Sequence, residues 1–281
     1  MPVKRDESGR RYVQAEVEVI GTPEEVWNAI ATGPGISSWF VPTQFETGQD
    51  GTPAKVVSHF GPDPSMDAVA TVTTWDPPRR FVAESPAERP NDPAVATEWT
   101  VEARSGGSCV VRVVHSWFAS SDDWDSQFEG HELGWAAFFR ILRLYLRSFA
   151  GQPCSPFQSM AFTPEPPSKA WEILTQPLGL GDPSEGQRVT SPPDAPRLSG
   201  VVERVGAPEY PELLLRLEAP APGIAHIFAM PMGGTTCVPV RLYLYGDQAA
   251  AVAAREEPLW NAWIQQRFQP AGEATTSGAE R

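Results

Sequence analysis

Three side chains of this sequence could together perform acid–base chemistry: His115, His131 and Glu132. A carboxylate beside an imidazole in an apolar pocket can make the imidazole a general base. His115 lies in a predicted strand, whereas His131 and Glu132 are neighbours in a predicted helix, so only the fold can bring them together. The alternative is that His115 is a hydrogen-bonded interior histidine and that His131 faces solvent. An acid–base site is therefore one hypothesis, and no catalytic residue is assigned.

The other residues able to carry chemistry have simpler structural interpretations. The three cysteines are far apart and form no CxxC pair, so they indicate neither a disulfide framework nor a zinc site. The acidic stretch 122–125 stands at a predicted helix start, where carboxylates favour the helix dipole. Nucleotide-binding, phosphate-binding and hydrolase motifs are lacking. We therefore expect no cofactor and no metal, and we find no recognisable catalytic motif.

Composition narrows the class of partner. The 281 residues carry a formal net charge of −13, which repels nucleic acid and anionic membrane surfaces. The polar N-terminus has no apolar signal-peptide core, and no stretch of about 20 apolar residues could span a bilayer. We expect a cytoplasmic protein. The ten tryptophans and thirteen phenylalanines indicate large aromatic cores or a ligand cavity.

The first half of the chain begins with a predicted strand, which is followed by a predicted helix. Residues 12–20 alternate between apolar and polar side chains, which predicts a half-buried strand. Thr22 and Glu25 have capping-box spacing, so a helix begins there, and it should stop near Gly33-Pro34-Gly35. A short helical turn carrying Trp39 and Phe40 follows. A long helix over 122–149 ends the pattern, after six strands predicted at 43–47, 54–60, 67–75, 80–85, 95–104 and 108–119.

The second half repeats this order. A strand near 157–163 precedes a helix that begins at Pro167, and a final helix reaches Phe268, with Pro258 as a candidate break. Between them, strands are predicted near 186–190, 198–205, 211–218, 223–230 and 235–245. We expect two domains, at 10–150 and 155–268, and a disordered tail at 269–281. The second copy has fewer inward polar groups and Pro239 in a central strand, so it should chiefly support the first.

Two segments resemble a known family. TPEEVWNAIATGPGISSWF (22–40) and VVRVVHSWF (110–118) are similar to the START-like, or SRPBCC, superfamily, in its branch related to the activator of the heat-shock-90 ATPase. The resemblance implies an α+β helix-grip fold in each half, with a curved antiparallel sheet wrapped around a long C-terminal helix and an apolar cavity between them. It implies no single activity, because members bind lipids, cyclise polyketides, carry hormones or assist chaperones.

Side-chain alternation then predicts which residues line the first cavity. Arg112 should point outward, so His115 and Trp117 point inward, and Thr97 and Trp99 do so on the preceding strand. The predicted ligand-binding residues are Trp39, Phe60, Phe81, Trp99, His115, Trp117, His131, Trp135, Phe138 and Leu142. The alternative is that these aromatics fill the space themselves and leave a solid core.

A second apolar stripe lies on the back of the long helix. It consists of Leu133, Ala137, Ile141 and Leu144, and a helix that is apolar on both sides is usually covered on both sides. We expect the second domain to cover it, or a second copy of the chain in a homodimer.

Three functions follow from the sequence. The first is a binding protein for a small hydrophobic or aromatic ligand. The second is a polyketide-cyclase-like enzyme that uses His115 as its acid/base, and the third is a protein-interaction module of the co-chaperone type.

Overall fold

The structure is a computed structural model, which describes residues 3–7, 9–61, 63–86, 94–117 and 125–268, with the side chains of the long helix described from residue 134 onward. The chain divides into two compact units, Met1–Pro156 and Phe157–Arg281. Each unit contains an antiparallel sheet and helices. The predicted α+β class with a long C-terminal helix is confirmed.

The first unit contains an eight-stranded sheet in the order β1-β2-β8-β7-β6-β5-β4-β3. Its strands are β1 (Lys4–Arg5), β2 (Arg11–Ile20), β3 (Thr43–Thr47), β4 (Pro53–His59), β5 (Asp67–Asp76), β6 (Arg80–Ser85), β7 (Val95–Arg104) and β8 (Ser108–Trp117). The two-residue β1 adds a strand to the seven that the sequence predicts for this half. Because β3 to β8 are joined in chain order, they form the meander that the turn residues predict.

The first and last long strands of this sheet are paired along their whole length. Strand β2 runs antiparallel to β8 from Arg11 opposite Trp117 to Ile20 opposite Ser108. The alternating residues of β2 that were predicted to face inward are buried, from Val13 to Val19. Helix α3 (Asp125–Ser148) packs against β2, so the buried side of the sheet faces this helix.

Helix α1 (Pro23–Ala31) begins as its sequence predicts. Thr22 Oγ1 accepts from the backbone N–H of Glu25, and the Glu25 carboxylate accepts from the backbone N–H of Thr22 at 2.8 Å. The buried side of the helix includes Val26, Trp27 and Ile30. The capping box therefore fixes the start of α1, and apolar burial fixes its orientation.

The glycine–proline segment after α1 has a role that the sequence did not predict. Helix α1 ends at Ala31, and Gly33 begins a second short helix, α2 (Gly33–Ser37). Thr32 caps it by accepting from the N–H of Gly35, and a Cβ at Gly35 would lie 1.9 Å from the carbonyl oxygen of Asn28. Helix α1 ends just before this segment, as predicted, and the segment itself forms α2 with Thr32 as its N-cap. Trp39 and Phe40 follow α2 in a turn.

The second unit repeats the arrangement with a seven-stranded sheet. Its order is β10-β11-β12-β13-β15-β14, and β9 also pairs with β15. Helices α4 (Pro167–Thr175) and α5 (Ala249–Phe268) complete it. The strands are β9 (Cys154–Thr163), β10 (Arg188–Thr190), β11 (Ser199–Val205), β12 (Glu212–Ala219), β13 (Gly223–Phe228), β14 (Met230–Met232) and β15 (Thr235–Tyr245).

One predicted strand of the second unit is divided, and two prolines leave unbroken the elements that contain them. The strand predicted at 223–230 is divided into β13 and β14. Strand β15 passes through Pro239 unbroken, because its pairing with β14 ends at Cys237 and its pairing with β13 begins at Val240. Helix α5 continues through Pro258. Pro239 is thus tolerated where the strand changes its neighbour, since no ladder bond to those strands is lost there.

The second unit has its own hydrophobic core. Leu215, Ile227 and Val240 from the sheet are buried with Trp260 and Ile264 of α5. In the described part of the chain, no helix has the length and apolar character needed to cross a membrane.

Candidate functional site

An aromatic cluster occupies the interior of the first unit, where side chains from the sheet, the turn after α2 and helix α3 meet. Trp99 of β7 contacts Trp135 of α3 edge to face, with ring centroids 5.1 Å apart. Phe40 stacks on Trp135 at 5.2 Å with an interplanar angle of 8°. The aromatic cluster consists of Trp39, Phe40, Phe81, Trp99, Trp135, Phe138 and Phe139.

The cluster runs from a fully buried end to a half-buried end. Trp39 is inaccessible to solvent, and Phe81 and Trp99 are almost completely buried. Trp135 is half-buried, and Phe60, which contacts Phe40 at 5.8 Å, is 36% exposed. Large aromatic surface therefore reaches solvent near Trp135 and Phe60, which is the kind of surface that small apolar ligands use.

Three polar side chains form a hydrogen-bonded relay at this half-buried end. The indole Nε1 of Trp135 donates to Nε2 of His115 at 2.5 Å. His115 Nδ1 lies 2.9 Å from Thr97 Oγ1 on the neighbouring strand. The two residues are directly opposite each other in the β7–β8 register, so the sheet itself positions this pair. We refer to Trp135, His115 and Thr97 as the polar relay.

The donor at Trp135 determines the tautomer of His115. An indole nitrogen only donates, so Nε2 of His115 accepts and carries no hydrogen. In the neutral imidazole the hydrogen then lies on Nδ1, which donates to the hydroxyl of Thr97. The lone pair that a general base would use is therefore occupied by Trp135.

The structure brings together many of the predicted ligand-binding residues. Trp39, Phe81, Trp99, Trp135 and Phe138 belong to the aromatic cluster, Phe60 contacts it through Phe40, and His115 joins it through a stack on Trp135 at 5.5 Å. Trp117 is buried and packs with Val13, and Leu142 is completely buried.

The side chains of His131, Glu132 and Leu133 lie outside the described residues. The triad of His115, His131 and Glu132 therefore stays a prediction. On the back of helix α3, Ile141 and Leu144 are buried. The surface that covers this face also stays a prediction.

Sequence reasoning missed three residues of the site, Phe40, Phe139 and Thr97. Phe40 contacts four aromatic rings, those of Trp39, Phe60, Trp135 and Phe138. Thr97 was predicted to face inward but was not assigned to the site. Aligning the predicted strands β7 and β8 would have shown that Thr97 lies directly opposite His115 on the same face of the sheet.

A histidine–carboxylate pair lies on the other face of the first sheet. His59 Nδ1 is 2.8 Å from Asp67 Oδ1 across strands β4 and β5. Val56 of β4 is opposite Phe45, whose ring contacts Phe81 of the aromatic cluster. Because neighbouring residues of a strand alternate in direction, His59 points away from the cluster. This pair is therefore separate from the polar relay.

The second unit also buries polar side chains, on the sheet face opposite its core. Ala225 and Ile227 belong to the core, so His226 between them points to the other face. His226 is buried, its ring stacks on Phe228 at 4.6 Å, and its Nε2 lies 3.2 Å from Glu212 Oε1. Burial lowers the pKa of the nearby Arg241 guanidinium.

The cysteines of the structure are poor nucleophiles. Burial raises the pKa of the Cys154 thiol from its ordinary value of 9.0 to about 12. The pKa values of Cys109 and Cys237 are also raised, mainly by burial. In the described ranges, no group of three or more histidine, cysteine or acidic side chains could hold a metal ion.

Comparison with known proteins agrees with the resemblance seen in the sequence. Residues 21–147 match the model of the family described as "Activator of Hsp90 ATPase homolog 1-like protein", abbreviated AHSA1. This match lies within the first unit and spans less than half of the chain. No curated protein is similar enough in sequence to match.

Several solved structures match this chain at low sequence identity. The di-domain ARO/CYC protein BexL from the BE-7585A biosynthetic pathway is 12% identical, with 93% of this chain and 100% of that chain covered, at a TM-score of 0.44. The di-domain ARO/CYC protein StfQ from the steffimycin pathway is 13% identical, with coverages of 91% and 99% and a TM-score of 0.41. The Aha1 dimer from Colwellia psychrerythraea is 18% identical over 50% of this chain and 98% of its own, with a TM-score of 0.37.

Proposed function

We propose that this chain, an AHSA1-like protein with two helix-grip domains in tandem, binds a small aromatic ligand at the half-buried end of the aromatic cluster in its first unit. The observation that carries the proposal is the polar relay, which lies within an otherwise apolar aromatic surface. A binding site for a small molecule combines apolar walls with a few oriented polar groups. Trp135 supplies both, because its ring stacks on Phe40 while its N–H bonds His115.

Binding is favoured over acid–base catalysis by the hydrogen bonds of His115. A general base needs a free lone pair within reach of the proton that it removes. Nε2 of His115 already accepts from Trp135, and Nδ1 bonds Thr97. Catalysis by His115 would first require the hydrogen bond from Trp135 to Nε2 to break. We therefore rank the cyclase-like enzyme below the binding protein.

The proposal is tested by titrating the full-length protein with indane, a compact aromatic hydrocarbon, in isothermal calorimetry and thermal unfolding. We expect saturable binding and a rise in the melting temperature. A ligand at 100 times its Kd stabilises a protein by about 2.7 kcal/mol. Absence of both heat and stabilisation up to the solubility limit of indane would overturn the proposal.

Two exposed phenylalanines provide a matched pair of variants. Phe60 lies at the half-buried end of the cluster and is 36% exposed, whereas Phe162 of the second unit is 47% exposed. Phe60→Ser should weaken indane binding, because it removes aromatic surface next to Phe40. Phe162→Ser should leave binding unchanged. If the two variants bind indane equally well, the site does not lie at this end of the cluster.

A further inference from the structure

We propose that the hydroxyl of Thr97 donates a hydrogen bond to the ligand, so that the first unit selects aromatic molecules that carry an acceptor oxygen, such as a ring ketone. This inference rests on the proposed function and adds the chemical class of the ligand. It follows from the direction of the hydrogen bonds in the polar relay.

The hydrogen bonds of the polar relay all run in one direction, because the indole nitrogen of Trp135 can only donate. Trp135 Nε1 gives its hydrogen to Nε2 of His115. Nδ1 of the neutral imidazole then carries the ring hydrogen and gives it to Thr97 Oγ1 at 2.9 Å. Thr97 is therefore the last acceptor of the relay, and its own hydroxyl hydrogen is available to donate to a ligand.

The neighbours of Thr97 on the same sheet face offer no acceptor for that hydrogen. Across the strands, Thr97 lies opposite His115 on one side and Ala83 on the other. Along β7, the residues that share its face are Val95 and Trp99. His115 acts as the donor, and the other three neighbours are apolar or can only donate. In the described residues, Thr97 Oγ1 forms no side-chain hydrogen bond other than that to His115.

A donor in these surroundings discriminates between ligands. Thr97 is half-buried among aromatic and aliphatic side chains, where an unsatisfied hydroxyl costs free energy once water is displaced. A hydrocarbon ligand would displace water without replacing its hydrogen bond, whereas a carbonyl oxygen would accept from Thr97. Hydrogen bonds in a chain also polarise one another, which strengthens the last donor.

The test compares three bicyclic compounds of nearly the same shape. Indane has no polar atom, 1-indanone adds an acceptor oxygen, and indole presents an N–H donor. Calorimetric titration of the full-length protein should give 1-indanone a Kd about fivefold lower than that of indane, as expected for one net hydrogen bond. Indole should bind less tightly than 1-indanone, because it has no oxygen to accept the hydroxyl hydrogen of Thr97.

Three variants assign this preference to Thr97. Thr97→Val keeps the β-branched shape but removes the hydroxyl, and it should make 1-indanone and indane bind equally. Thr97→Ser restores the donor and should restore the preference. Thr100→Val is the matched control on the same strand, since Thr100 points to the opposite face and lies opposite Arg112. It should keep the full preference.

The ratio of the two Kd values is the decisive readout, because a general loss of stability would weaken both ligands together. Equal affinity of the wild-type protein for 1-indanone and indane would overturn this inference and leave the proposed function intact. A preference that survives in Thr97→Val would also overturn it. Absence of binding by all three compounds would overturn the proposed function, and the inference with it.

Discussion

The side chain of Trp135 joins helix α3 to strand β8 by donating from its Nε1 to Nε2 of His115 at 2.5 Å. The two rings also stack, with centroids 5.5 Å apart and an interplanar angle of 28°. One contact therefore fixes the protonated nitrogen of His115 and holds the helix against the sheet at the half-buried end of the aromatic cluster.

Replacing Trp135 by phenylalanine should destabilise the first unit by about 1 kcal/mol, the typical net contribution of one hydrogen bond, since His115 is half-buried. The ring stays in place, but Nε2 of His115 loses its donor. Urea denaturation followed by circular dichroism measures the change. Trp75→Phe is the matched control, because Trp75 is also half-buried in aromatic contacts and its indole N–H makes no side-chain hydrogen bond in the described part of the chain. Equal losses in both variants would show that the bond to His115 contributes no stability.

The capping box of helix α1 gives a second prediction. Thr22→Ala removes the oxygen that accepts from the N–H of Glu25 and should cost about 1 kcal/mol. Ser168→Ala in helix α4 is the control, because the N-cap of α4 is Pro166 and makes no side-chain cap bond. The free energy of unfolding should fall for the first variant and stay within about 0.5 kcal/mol of wild type for the second. An unchanged free energy of unfolding in Thr22→Ala would mean that the capping box does not stabilise α1.

Truncation of Trp99 tests whether the aromatic cluster is a packed core. Trp99 is 4% exposed and contacts Trp39, Phe81 and Trp135. Trp99→Ala should cost about 3–5 kcal/mol, as expected for a large buried aromatic side chain. Amide hydrogen exchange should accelerate in the first unit and change little in the second, which has its own core. Equal acceleration in both units would contradict this separation.

The raised pKa of Cys154 predicts slow thiol chemistry. Since the thiolate is the reactive form, a thiol whose pKa is about 12 reacts slowly at pH 8. The thiols of the native protein should react slowly with a disulfide reagent. In concentrated urea all three thiols should react rapidly. Rapid modification of Cys154 in the native protein would contradict the prediction.

The same shift has a consequence for stability at high pH. The folded state keeps the Cys154 proton more tightly than the unfolded chain, whose thiol has a pKa near 9.0. The stabilisation is therefore complete below pH 9 and is lost as the pH rises towards 12. Cys154→Ala should make the unfolding free energy less sensitive to pH in that range, as measured by urea denaturation. An unchanged pH dependence in this variant would exclude Cys154 as a contributor.

Elements with local signals were predictable from the sequence. Strand β2 follows its apolar alternation, and α1 follows its capping box. Segments whose conformation depends on distant partners were not. Helix α2 begins at Gly33 and carries Gly35 close to the Asn28 carbonyl, and the strand predicted at 223–230 is divided into β13 and β14, which pair with β15 on either side of Pro239. Such contacts arise only in the folded chain.

The sequence by itself determined the α+β class, the repeated order of elements and the inward direction of Trp99 and His115, because alternation and turn residues are local properties. Only the tertiary structure decided how His115 is used. Its two ring nitrogens are bonded by Trp135 from a helix and Thr97 from the adjacent strand. A histidine takes its chemical character from its hydrogen-bond partners, and these are separated from His115 by about 20 residues in the chain.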